Sequence, residues 1–319
     1  MKLVDGLSKL DRILSKAMPL IPIAGLALGA FLPEVFINLR PLVPWLFGTL
    51  TLSGALKLKA RELGRAVSSP FPFLLYFLSA RIFFPLTVFL LSSLFFRNDP
   101  DMITGLVLMY SVPVAVTSLI WVSVFKGDLA LALTIILLDT LLAPIIVPGT
   151  VRLLLGAVIN LDFMGMVLSL SYMILLPTII GVGLNEASQG KIPAIIGPWF
   201  SPFSKIALAF VMAGNTASVA PLLRLVDFRL LIIVIACICL NLFGFICGKL
   251  LAKLGKLDKG KDISFFITAG LKNNSLAMVL GIQFFPAAAA LLPVIGFVTQ
   301  HIVMGIMGRV LTNFRRGGI

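Results

Sequence analysis

Charged residues are scarce in this sequence, at 12% of 319 residues, where a soluble globular protein carries about 25%. Apolar residues reach 59%, against a usual 45–50% or so. A water-soluble chain of this length needs many charged surface positions, so the shortage excludes a soluble protein. Histidine occurs once, as His301. That leaves no Ser-His or Cys-His set and no histidine metal cluster. An Asp-rich diphosphate motif is missing too, so neither an enzyme nor a bound cofactor is expected. Cys237, Cys239 and Cys247 fall inside one apolar segment. There they serve as small apolar fillers, and neither a disulfide framework nor a metal site is expected. Acidic residues number 13 against 26 basic ones, a net charge of +13. In a lipid-embedded chain this excess is the positive-inside signal rather than a nucleic-acid footprint. Residues 1–17 (MKLVDGLSKLDRILSKA) have no short apolar core and no small-residue cleavage site, so a cleavable signal is not expected.

What is present is apolar text in blocks of roughly 20 residues, the length that crosses about 30 Å of hydrocarbon. Ten spans are read at 18–33, 42–56, 71–96, 102–125, 129–155, 163–184, 203–223, 229–252, 264–285 and 287–312. Connections on one side, with both ends of the chain, hold 18 Lys and Arg residues; the other side holds 5 (Arg40, Arg97, Arg152, Arg224 and Arg229). This bias places both termini in the cytoplasm, which requires an even number of spans. Ten spans divide into two fives, and an odd-numbered unit repeated once is inserted in opposite orientations, as in many secondary transporters. The expected organisation is a cytoplasmic lead-in (1–17), two five-helix repeats (18–156 and 163–312) and a cytoplasmic tail (313–319). The expected location is the cell membrane, and nothing in the sequence specifies an oligomeric state.

Ionisable residues inside a membrane are costly and point to function. Asp139 lies mid-way through the fifth span (ALTIILLDTLLAPIIVP), Lys272 at an interruption of the ninth (GLKNNS), and Arg81 in the third, shortly before Pro85. Lys272 and Asp139 form the natural pair. It is either a static bridge between helices or a titratable, substrate-linked couple. Thr117 and Ser118 in the fourth span match Asn274 and Ser275 in the ninth, each group following a helix-weakening residue, Pro113 and Gly270. Polar interruptions at matching places in two halves point to a midplane binding site. Asn215, Thr216 and Ser218 form another polar cluster, in the seventh span.

Two stretches carry a family resemblance: PVAVTSLIWVSVFKGDLALALTIILLDTLLAPIIVP (113–148) and TAGLKNNSLAMVLGIQFFPAAAALLPVIGFVTQHIVMG (268–305). Pro113, Ser118, Lys126-Gly127-Asp128, Leu141 to Pro144, Gly270, Asn273 and Leu276-Ala277 keep the frame of the bile acid:sodium symporter family, which the chain resembles along nearly its whole length. The resemblance implies an all-α fold of ten transmembrane helices in two inverted five-helix repeats. Helices four and nine break and cross, and a cavity opens between a core and a panel domain. It also implies an anionic, partly apolar substrate.

The departures from the family are chemical. Positions where the family supplies oxygen ligands to sodium fall on Leu119, Ala132, Ile136, Thr268, Lys272 and the neighbourhood of Ala80. Leucine, alanine and isoleucine offer no side-chain oxygen, and an ammonium repels sodium. The expectation is therefore a sodium-independent carrier of a small organic anion. Lys272 supplies the missing positive charge, offset by Asp139, and coupling is to protons rather than sodium, or absent. Thr117, Ser118, Thr268, Asn273, Asn274 and Arg81 are expected to line the same site. An ordinary sodium symporter that uses backbone carbonyls stays open as an alternative. Expected partners are the organic anion and membrane lipid.

Overall fold

The computed structural model describes residues 10–15, 17–18, 20–61, 70–156, 161–225 and 227–316, with side chains to 309. Residues 1–9 and 16 of the lead-in, and 317–319 of the tail, lie outside the described residues. The described chain is built of helices joined by short linkers: α1 (Leu20–Phe31), α2 (Pro33–Ala55), α3 (Pro70–Phe95), α4 (Pro100–Ser111), α5 (Ser118–Val124), α6 (Leu129–Leu155), α7 (Phe163–Ala187), α8 (Lys191–Arg224), α9 (Phe228–Leu254), α10 (Lys259–Gly270), α11 (Asn274–Phe284) and α12 (Ala287–Arg316). Seven of these, α2, α3, α6, α7, α8, α9 and α12, are long and apolar enough to cross a membrane. Leu74, Leu94, Phe95, Leu153 and Phe228 stand more than half exposed on their helices, as a lipid-facing surface requires. The chain is a multi-pass membrane protein.

Helix starts are written in the sequence. Asp99, Asp128, Asp162, Asp227 and Asp258 each accept a hydrogen bond from a first-turn amide of α4, α6, α7, α9 and α10. Each cap contributes on the order of 1 kcal/mol. Pro100 follows Asp99 at the first helical position, where its missing N–H costs nothing.

The chain forms two compact units. The first combines residues 1–61 with 162–225, the second 62–161 with 226–319. Each unit therefore draws on both halves of the sequence. In the first, Gly25 and Gly29 of α1 lie against the backbone of α8; a Cβ at either would collide with the Ala209 or Ala213 carbonyl oxygen. This is the small-xxx-small contact that lets membrane helices approach closely. Asn185 of α7 donates to the carbonyls of Leu56 (2.9 Å) and Leu58 (2.8 Å), satisfying the end of α2.

Two helices change pitch. Ser79–Phe83 in α3 and Ser171–Leu175 in α7 are π-helical turns. Each ends two residues before a proline, Pro85 or Pro177. The proline removes the N–H that would bond four residues back. The chain instead bonds five back, Phe84 to the Ser79 carbonyl and Leu176 to that of Ser171.

Candidate functional site

The second unit is built around two interrupted helices. α4 ends at Ser111 and α5 starts at Ser118; α10 ends at Gly270 and α11 starts at Asn274. Pro113 explains the first break, since proline restrains the residue before it and donates no hydrogen bond. Gly270 is packed against the Phe245 ring where no Cβ would fit. The two extended linkers cross as an antiparallel bridge centred on Val114 and Lys272. Ala115 N–H donates to the Leu271 carbonyl (3.0 Å), and Asn273 N–H to the Pro113 carbonyl (2.8 Å). In that geometry the amides of Val114 and Lys272 themselves point outward and need other acceptors.

Each finds one on another helix. Val114 N–H donates to Asp139 Oδ2 of α6 (2.8 Å), and Lys272 N–H to Gln300 Oε1 of α12 (3.0 Å). Gln300 returns a bond from Nε2 to the Lys272 carbonyl (3.1 Å), and its Oε1 also accepts from Asn274 Nδ2 (3.1 Å). A single amide side chain thus closes the ninth-span break.

Among the described residues three charged side chains are buried: Arg81, Asp139 and Lys272. All three lie at this crossing. Arg81, in the π turn of α3, donates from Nε to Asp139 Oδ1 (2.7 Å) and forms the ion pair through Nη2. Its Nη1 donates to the Ser111 carbonyl (2.6 Å), an orphan group at the end of α4. Tyr76 donates its hydroxyl to Asp139 Oδ2 (3.2 Å). Asp139 is fully occupied by these partners. This corrects the expected pairing of Lys272 with Asp139. The planar guanidinium offers several donors in a fixed fork and claims the carboxylate.

Lys272 Nζ has no hydrogen-bond partner. It lies 5.6 Å from the Tyr76 ring centroid and 5.7 Å from those of Phe84 and Tyr110. These distances are in the range of cation–π attraction. The walls are themselves fixed: Tyr110 donates to the Leu240 carbonyl (3.0 Å), Phe84 meets Tyr110 edge-on at 5.9 Å, and Tyr76 meets Phe265 edge-on at 6.0 Å. Gly244 makes room for the Tyr110 hydroxyl, which a Cβ there would strike.

The remaining expected site residues divide. Ser118 and Asn274 are buried, with Ser118 Oγ and Asn274 Oδ1 unpartnered. Asn273 caps α11 by accepting from Leu276 N–H (3.2 Å) and Ser275 Oγ (2.8 Å). Thr268 donates its hydroxyl hydrogen back to the Ser264 carbonyl (2.8 Å). Thr117 precedes α5, makes no cap hydrogen bond with its side chain and is exposed. Tyr76, Phe84, Tyr110 and Gln300 were not singled out in the sequence. Aromatics in apolar text carry no signal; Gln300, a polar side chain within a membrane helix, does.

The profile of the Sodium Bile acid symporter family matches residues 43–224, more than half of the chain. The chain belongs to that family. The matched stretch includes Arg81, Ser118 and Asp139 and stops before Lys272. "Uncharacterized protein YbaS" of Bacillus subtilis (strain 168) is 35% identical over 297 residues, 93% of this chain and 97% of the relative. "Probable sodium/metabolite cotransporter BASS1, chloroplastic" of Arabidopsis thaliana is 25% identical over 95% of this chain and 74% of its own length. "Uncharacterized sodium-dependent transporter YocS" of Bacillus subtilis (strain 168) is 23% identical over 95% and 93%. This symporter-family member is a transporter, not an enzyme.

Proposed function

We propose that this family member is a sodium-independent secondary transporter of a small organic anion, with the Lys272 amine standing where a sodium ion would otherwise sit. The observation that carries the reading is that amine: buried, without an acceptor and walled by three aromatic rings. Arg81 and Asp139 cancel, so an ammonium at Lys272 leaves the buried set with one net positive charge, which favours an anion at the crossing. Side chains at the positions that correspond to the family's sodium ligands add support. Ala132 belongs to an apolar cluster with Val122, Phe125 and Phe245, and Leu119 packs against it. Ile136 is buried. Those side chains offer sodium no oxygen. An amine that takes up and releases a proton during the cycle supplies proton coupling in place of sodium; a fixed charge gives a uniporter or exchanger.

The architecture in this reading is ten spans in two inverted repeats, both termini in the cytoplasm of the cell, working by alternating access. The two linkers support it: each break is followed by a helix, α6 or α12, whose side-chain oxygen takes the outward amide of the bridge residue. The names of BASS1 and YocS favour a second reading, a sodium-coupled symporter. Uptake of candidate carboxylates and sulfonates into proteoliposomes, with sodium gradients, proton gradients or neither, separates the two. Uptake indifferent to sodium is expected; strict dependence on sodium overturns the proposal. Lys272→Met is expected to abolish transport or uncouple it from protons.

A further inference from the structure

Three aromatic ring faces surround the Lys272 amine. Tyr76, Phe84 and Tyr110 are each at most 1% exposed, as is Lys272. Their faces, not their oxygens, are what the amine meets: the Tyr76 hydroxyl is committed to Asp139 and that of Tyr110 to the Leu240 carbonyl. Hard cations such as sodium are held by oxygen ligands. Aromatic faces instead attract ammonium groups, and cages of such faces recognise free organic ammonium ligands. The cage is also braced independently of its occupant, through the edge-on contacts of Phe84 with Tyr110 and of Tyr76 with Phe265.

The geometry points to an organic-ammonium site that the protein fills with a ligand of its own. Lys272 is that tethered ligand. When its side chain is cut back, a free primary alkylammonium takes the place of the lost atoms and sodium does not. This deepens the reading of Lys272 given under the proposed function and is tested by binding rather than transport, so the two fail separately.

Lys272→Ala removes three methylenes and the amine, the atoms of propylammonium. The purified variant is heated in detergent with propylammonium chloride, sodium chloride or lithium chloride at equal ionic strength, or with 1-propanol. Propylammonium is expected to raise the Tm of Lys272→Ala by several degrees over the lithium control and to leave the unsubstituted protein unchanged. Sodium and 1-propanol are expected to match the control. A shift with sodium as large as with propylammonium, or a propylammonium shift no larger than that of 1-propanol, overturns the inference. Should Lys272→Ala not fold, a second series keeps Lys272 and replaces Phe84 with phenylalanines of increasing fluorination, which drains charge from the ring face at little change of shape. A stepwise fall in Tm along that series is the expected result. A flat series overturns the cage.

Discussion

Val114 and Lys272 face each other across the crossing, and each gives its amide hydrogen to a side chain from a third helix: Asp139 for one, Gln300 for the other. Neither acceptor is a spectator. Extended backbone at membrane depth survives only when its polar groups are satisfied by protein or water. These two side chains meet that requirement in the middle of the second unit.

Gln300→Leu removes the acceptor for Lys272 N–H and Asn274 Nδ2 and the donor to the Lys272 carbonyl. A buried group left unpaired costs about 1–3 kcal/mol. The variant is expected to unfold several degrees below the parent in detergent, and Gln300→Glu, which keeps acceptors for both donors, is expected to lose less. Thermal unfolding of the three proteins checks the order.

Arg81 and Asp139 act as one unit. Breaking a buried pair by removing one partner costs about 3–5 kcal/mol, whereas replacing both by apolar residues costs far less. Arg81→Met and Asp139→Leu are each expected to destabilise strongly, and the double variant by less than the sum of the singles. A double-mutant cycle on chemical unfolding in micelles measures the difference; strict additivity would remove the coupling.

Gly25 and Gly29 set the distance between α1 and α8. A side chain at either meets main-chain atoms that cannot yield locally. Gly29→Leu is expected to abolish or strongly reduce the yield of folded protein. Leu28→Ala, at an exposed neighbour, is expected to fall within about 0.5 kcal/mol of the parent, as surface substitutions do. Size-exclusion profiles of the two variants give the comparison.

Asp11 in the lead-in is ion-paired with Lys205 at 2.6 Å. Partial burial pushes its carboxyl up, but the Lys205 hydrogen bond and charge outweigh this, together with Ser201, and hold it below its ordinary value. A carboxyl whose folded value is depressed stabilises the fold above its unfolded value of about 3.9 and loses that contribution as pH falls through the folded value. The Tm gap between parent and Asp11→Asn is therefore expected to be constant from neutral pH down to about 5 and to close below about 4. A gap that persists at the lowest pH would remove Asp11 as its source.

Much of this was legible in the sequence. Runs of apolar residues marked the helices, Pro113 and Gly270 marked the breaks, and the rare charges Arg81, Asp139 and Lys272 marked the crossing. What the sequence withheld was rotation. Spacing fixes how far along a helix a side chain lies, not which neighbour it meets once helices pack. Lys272 and Asp139 looked like partners because they were the conspicuous opposite charges; Arg81 holds the carboxylate because its fork meets it directly. The cage escaped notice because Tyr76, Phe84 and Tyr110 come from two helices in text already rich in aromatics. The compact units could not be read from chain order, since each gathers segments from both halves.

The π turn of α3 has a consequence for comparing relatives. Tyr76 and Arg81 are five residues apart, and both reach Asp139. In an ordinary α-helix such residues point about 140° apart; the wider turn at Ser79–Phe83 lets them converge. A relative whose corresponding helix keeps uniform pitch presents the same two functions at a spacing of four. A gapless alignment through that stretch then slips by one position on one side of the turn, and assigns the carboxylate's partner to the wrong residue.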